Sequence, residues 1–208
     1  LRRCRARELT VTGVDLSGAD LSEAELVSCN LIRVKCAGTS FARARLDQTV
    51  FLDVEGDGAS FRGASLVNLR VVKAEKGSSF ARADLREADL TRANLRGASL
   101  AGSDLRGALL AAADLSEADL AGARLDGVRA VEARFEGANL REASFEAADL
   151  MMAMLGRASV AGASFERANL FRADGARMVG DGRTSLRGAN VTQFRYVPNR
   201  GDDGQGRA

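Results

Sequence analysis

A large apolar residue recurs at every fifth position along most of this chain. The series starts at Leu16, Leu21 and Leu26 and, after an interruption, runs from Phe80 to Leu170. A small residue, usually alanine, stands two positions before each of these centres. An α-helix turns by about 100° per residue and a strand alternates its faces, so neither would bury a five-residue series on one side. A chain that turns a corner every five residues would bury it, and four such sides would close one coil.

The residues around each centre suit such corners. Glycine often stands two positions after the centre, as at Gly97 and Gly102, and Asp, Asn or Ser often stands one position before it. Glycine permits the left-handed backbone of a tight turn, and short polar side chains bond to nearby backbone. The A-(D/N)-L-x-x pattern, as at residues 83–85 and 93–95, resembles the pentapeptide-repeat family. The resemblance implies an all-β fold, a right-handed quadrilateral β-helix with about nine coils stacked about 4.8 Å apart.

The repeat divides the chain into a cap or lead-in at residues 1–10, a β-helix at 11–196 and a flexible tail at 197–208. Because the sequence starts with Leu1 instead of methionine, we expect it to be a piece of a longer protein.

Three interruptions are expected to form loops on one side of the rod. They lie at residues 55–58, 73–78 and 174–177. We interpret the second as a slip of one residue in the five-residue series, which places Leu90 on the same side as Val71.

The composition argues against catalysis. The chain has no histidine, and its three cysteines form neither a zinc set nor a complete set of disulfides. Most aspartates precede a centre, where a turn role accounts for them. We therefore predict no enzyme, no metal and no cofactor. Unpaired cysteines favour a reducing compartment, which we take to be the bacterial cytoplasm.

The residues expected to point outward from the rod contain the one candidate site, a surface for binding a partner. With a slip of one residue, the position after the centre forms a mostly apolar column on one side of the rod, and Met152 and Met154 lie beside it. Exposed apolar stripes mark partner surfaces, and methionine suits adaptable ones. We predict binding of a protein partner or of a second copy by Ile32, Leu52, Val72, Val131, Met151, Met152, Met154 and Phe171.

Two functions remain open. The first is a structural, protein-binding rod, the repeat part of a larger bacterial protein; Arg/Ala-rich repeats of this kind resemble those of secretion-system accessory proteins. The second is a DNA-mimic inhibitor of DNA gyrase, as in the quinolone-resistance branch of the family. Residues 8–194 carry 23 basic and 26 acidic groups, a net charge of −3 that is weak for mimicry. The balanced charge disfavours nucleic-acid binding, and no segment is apolar enough to span a membrane.

Overall fold

In a computed structural model, which describes residues 1–72 and 78–197, the chain is a parallel β-solenoid of about nine coils. Most coils advance by 20 residues, and each pairs with the next at four positions five residues apart, so the coil has four sides. The described part of the chain contains no helix long and apolar enough to cross a bilayer. Its short strands are β1 (Arg5–Arg7), β2 (Thr10–Thr12), β3 (Glu25–Val27), β4 (Asn30–Ile32), β5 (Val50–Leu52), β6 (Arg70–Val72), β7 (Asp174–Ala176) and β8 (Arg195–Val197).

The strands form three parallel sheets. Strand β1 pairs with β3, strands β2, β4, β5 and β6 form a four-stranded sheet in that order, and β7 pairs with β8. Elsewhere the coils are joined by single bridges. Residues 1–10, expected to be a cap or lead-in, contain β1 and the first residue of β2, both in register with the following coil.

Most corners are tight turns that begin at the centre. The amide three positions after a centre donates to the carbonyl of that centre, as Ala98 N does to Leu95 O at 3.0 Å. The residue two positions after the centre has a positive φ, for example 66° at Gly97, which is the geometry of a type II turn. Many corners hold a non-glycine residue there, such as Met152 at 58°. The five-residue series therefore follows from a repeated turn.

The core contains two kinds of inward residue, as expected. Most centres are buried, and so are most of the small residues two positions earlier, as Leu120 and Ala118 show at 0% exposure. In the last described coil the centres Leu186, Val191 and Tyr196 are exposed. The inward position two residues before a centre accepts larger side chains than the sequence suggests. Thr39 occupies it, and its hydroxyl donates to Leu16 O at 2.7 Å. Leu69 and Met178 occupy the same position in other coils and are also buried.

The sequence-based register is wrong beyond residue 72. Ser65 pairs with Asp89 and Arg70 pairs with Asn94, so the coil that spans the interruption advances by 24 residues. The interruption is thus an insertion of four residues rather than a slip of one, and every later centre lies one side before the expected one. We name the sides by two centres each: face A (Leu100, Leu120), face B (Leu105, Leu125), face C (Leu110, Ala130) and face D (Leu115, Phe135).

Two of the three expected loops are regular corners. Residues 55–58 and 174–177 keep the bridges and turns of the repeat, with Gly56 and Gly175 at centre positions. A Cβ atom on Gly56 would lie 2.8 Å from Phe80 Cδ1, and one on Gly175 would lie 2.6 Å from Phe194 Cζ. A ring from the neighbouring coil therefore fills the space of the missing side chain. Of the remaining expected loop, at residues 73–78, residues 73–77 lie outside the described residues. The sequence places Leu186 on the same side as Phe165, with one extra residue between them, and the pairing of Ser164 with Ser185 confirms this.

Candidate partner-binding surface

The predicted apolar column is two separate patches on adjacent faces. Ile32, Leu52 and Val72 follow one another in the four-stranded sheet on face D. The backbone ladder on face C joins Val131, Met151 and Phe171, since Glu132 N donates to Met151 O and Met152 N to Phe171 O, both at 2.9 Å. The sequence-based alignment of the two sets in one column is wrong because the insertion carries four residues. Whether either patch binds a partner stays a prediction.

The C-terminal patch, which we name the Met–Phe patch, consists of Val131, Met151, Met152, Met154 and Phe171. Val131, Met151 and Phe171 are half-buried on face C, where stacking shields one edge of each side chain. Met152 stands at the corner and is 38% exposed, and Met154 lies on face D and is 44% exposed. The patch therefore continues round one edge of the rod.

The N-terminal patch, which we name the sheet patch, consists of Ile32, Val50, Leu52 and Val72. These side chains project from β4, β5 and β6, and Val72 is the most exposed of the four, at 36%. Sequence reasoning missed Val50, which stands one position before a centre. The same signal, an apolar residue where Asp, Asn or Ser is usual, would have found it and also the half-buried Leu109 on face C.

Charged groups surround the Met–Phe patch. On face D, Arg134 is ion-paired with Glu136 at 2.9 Å and Asp174 with Arg195 at 2.6 Å. The hydrogen bond from Arg195 lowers the pKa of Asp174, so this carboxylate is ionised at neutral pH.

Arginines lie closer to the apolar side chains. The guanidinium of Arg172 lies 5.1 Å from the ring centroid of Phe171, within the range of a cation–π contact. Arg129 is exposed on face C, Arg157 is exposed at the corner after face D, and Glu132 is exposed in the coil next to Met152. The rim therefore carries both signs of charge, with Arg172 in contact with the apolar side chains.

The described residues hold no cluster of three or more His, Cys, Asp or Glu arranged to bind a metal ion. Cys29 and Cys36 are buried, and Cys4 is half-buried. Burial raises the pKa of the Cys36 thiol to about 12, with Asp57 and Glu55 adding to the effect. Since the thiolate is the nucleophile, Cys36 is an inert core residue at neutral pH.

The fold and its repeat define the class of protein: a β-solenoid built from five-residue units. The family model of pentapeptide repeats matches eight copies, in segments that include residues 1–35, 12–48, 78–116, 93–129 and 118–153. These segments cover more than half of the chain, and the chain belongs to the pentapeptide-repeat family.

Solved structures with the same repeat resemble the chain over most of its length. HetL, a pentapeptide repeat protein involved in heterocyst differentiation regulation from the cyanobacterium Nostoc sp. strain PCC 7120, is 25% identical. The match covers 96% of this chain and 91% of HetL, with a TM-score of 0.59.

Two further structures are less similar. QnrB1, a plasmid-mediated fluoroquinolone resistance protein, is 18% identical over 93% of this chain and 92% of its own, with a TM-score of 0.43. The pentapeptide repeat protein alr5209 from Nostoc PCC 7120 is 27% identical over 57% of this chain and 84% of its own, with a TM-score of 0.29. No curated protein sequence matches the chain at a significant level.

Proposed function

We propose that this protein is a non-catalytic, rigid rod that binds another protein through the Met–Phe patch. The observation that supports the proposal is the outward apolar cluster in three successive coils. A solenoid needs apolar residues only at its inward positions, and solvent favours polar residues outside. Burial of the patch would contribute roughly 25 cal/mol per Å² of apolar surface before the costs of association. Similarity to HetL, a protein involved in regulation, accords with a binding role.

The chemistry of the rim defines the partner. Because Arg172 lies against the Phe171 ring and Arg129 is exposed on the same face, we infer a partner segment with large apolar residues flanked by carboxylates. Methionine side chains adapt to different shapes, which suits an extended segment.

DNA mimicry of the gyrase-inhibitor type has less support. A mimic needs unpaired carboxylates spaced along one face, whereas Asp84, Asp104 and Glu166 are each ion-paired with an arginine. A gyrase supercoiling assay tests this alternative, and inhibition at stoichiometric amounts of the chain would contradict the proposed function. A secretion-system role and a bacterial cytoplasmic location remain predictions.

The test is selection of a random peptide library on the immobilised chain. We expect enriched peptides with apolar residues flanked by Asp or Glu, and we expect Met151→Glu/Phe171→Glu to lower their affinity at least tenfold. The matched control is Ile32→Glu/Leu52→Glu, which places the same charges on the sheet patch. Thermal unfolding of both variants checks that the solenoid is intact. An equal loss of peptide affinity in both double variants, or no loss of affinity in Met151→Glu/Phe171→Glu, would contradict the assignment of the Met–Phe patch.

A further inference from the structure

Face B has a segregated column of charges. The position after the centre holds Arg62, Arg86 and Arg106 in three successive coils, and the next three coils hold Asp126, Glu146 and Glu166. The ladder confirms that these are direct neighbours, since Gly63 N donates to Arg86 O at 2.9 Å, Gly107 N to Asp126 O at 3.2 Å and Gly127 N to Glu146 O at 2.8 Å.

The column is unusual because like charges stack within it. Like charges on adjacent strands destabilise a sheet, and alternating signs would have allowed ion pairs along the column. The arginines instead bond sideways: Arg86 Nη2 donates to Asp84 at 2.8 Å, and Arg106 Nη2 donates to Asp104 at 2.6 Å. The acidic half also bonds within the chain: Glu146 is ion-paired with Arg167 at 2.9 Å and Glu166 with Arg187 at 2.5 Å. A guanidinium has five donors and a carboxylate accepts several hydrogen bonds, so these groups keep capacity for a second partner of opposite charge.

The second outward column on face B has the opposite order. The position before the centre holds Ser60, Asp84 and Asp104, followed in the next three coils by Arg124, Ser144 and Ser164. In both columns the sign changes at the same place, between the coils of Leu105 and Leu125.

From this pattern we propose that face B binds a second copy of this chain, antiparallel, across a two-fold axis between Arg106 and Asp126. An axis in the interface along the strand direction reverses the order of coils and keeps each column opposite itself. Arg106 then faces Asp126 of the second copy, and Arg86 faces Glu146 of the second copy. Arg62 likewise faces Glu166 of the second copy.

The second column fits the same arrangement. Asp104 faces Arg124 of the second copy, and Asp84 faces Ser144 of the second copy, so no like charges oppose each other in either column. Sheets pack about 10 Å apart, a gap that extended Arg and Glu side chains bridge together. Because the columns largely neutralise each other within each half, the attraction is local and sets the register of the two rods.

This inference is independent of the proposed function, since face B is opposite face D and does not contain the Met–Phe patch. Sedimentation velocity at low ionic strength and sub-millimolar concentration should show a dimer that dissociates as salt is added. A wild-type chain that is monomeric under these conditions would overturn the proposal.

Charge exchange gives the decisive test. Arg86→Glu and Glu146→Arg should each raise the dimer dissociation constant at least tenfold, because each places like charges opposite one another twice. An equimolar mixture of the two variants should dimerise again, since every pair is then opposite in sign. The double variant Arg86→Glu/Glu146→Arg should also dimerise.

Controls separate this geometry from a general charge effect. Arg141→Glu changes the same charge on face A and should leave the dimer unchanged. The exchange of Arg62 and Glu166 repeats the test at a second pair, in case a variant at residue 86 fails to fold. Single variants that dimerise like wild type, or mixed variants that stay monomeric, would refute the antiparallel arrangement.

Discussion

The coils before the four-residue insertion and those after it use face D in different ways. Before it, β2, β4, β5 and β6 form a continuous sheet whose outward side chains include Ile32 and Leu52. After it, single bridges join the coils on this face until β7 pairs with β8, and the same column holds Arg96, Ser116 and Glu136. The inward positions hardly change across the insertion, whereas the outward ones do. The core therefore specifies the fold, and the outward columns distinguish the two regions.

The cores of the two regions are built on the same plan. Phe41 and Phe61 stack with centroids 4.9 Å apart before the insertion, and Phe145 and Phe165 stack at 5.0 Å after it. Both pairs belong to face B and join successive coils. Across the insertion, the rings of Phe61 and Phe80 lie edge to face with centroids 6.0 Å apart, so the aromatic packing continues through the core.

The largest expected effect tests whether both regions depend equally on their centres. Leu46→Ala before the insertion and Leu120→Ala after it each remove a side chain with 0% exposure. Each change should lower the free energy of unfolding by about 2–5 kcal/mol, through lost burial and the cavity left behind. Chemical denaturation of the two variants measures this. A loss near zero for either residue would show that its region does not rely on the inward series.

A smaller effect should appear where a glycine replaces a centre. A Cβ on Gly56 would lie 2.8 Å from Phe80, whose ring packs against Phe51 and Phe61. Gly56→Ala should therefore lower the free energy of unfolding by about 1–3 kcal/mol.

The control for this overpacking is outward-facing. A Cβ on Gly156 would meet only Ala176 O at 3.5 Å, so Gly156→Ala should stay within about 0.5 kcal/mol of wild type. Phe80→Leu in the Gly56→Ala background should recover part of the loss. Equal melting temperatures for Gly56→Ala and Gly156→Ala would contradict the role given to the Phe80 ring.

Most of the fold could be predicted because the same local pattern, a large inward centre with a small inward residue two positions before it, recurs many times. Leu120 and Ala118 follow that rule and are buried as expected. The register after residue 72 could not be predicted, because a shift of one residue backward and one of four forward both restore a five-residue phase. Only the pairing of Ser65 with Asp89 decides between them, and that contact is not local in sequence.

The position of the candidate site on the rod depended on the same count of inserted residues. The exposed character of Met152 and Met154 was evident from their positions within one coil. Their relation to Ile32 and Leu52 depended on counting across the insertion. The filling of the space beside Gly175 by the Phe194 ring could not be predicted either, because neither pentapeptide alone indicates that the two residues are in contact.

The smallest expected effect sharpens the comparison at the first coil of the described residues. Glu23 accepts hydrogen bonds from Arg2 and Arg3, both at 2.8 Å, which lower its pKa from 4.5 to about 2. A carboxyl group whose pKa is lowered by folding stabilises the fold at pH values above its ordinary pKa. This stabilisation is lost as the pH falls from about 4.5 through about 2. Glu23→Gln should therefore melt below wild type at pH 6, and the gap should close near pH 2. Because these groups are exposed, added salt should narrow the gap at pH 6 as well. A gap in melting temperature that stays constant from pH 6 to pH 2 would show that the ion pairs at Glu23 do not hold the first coil.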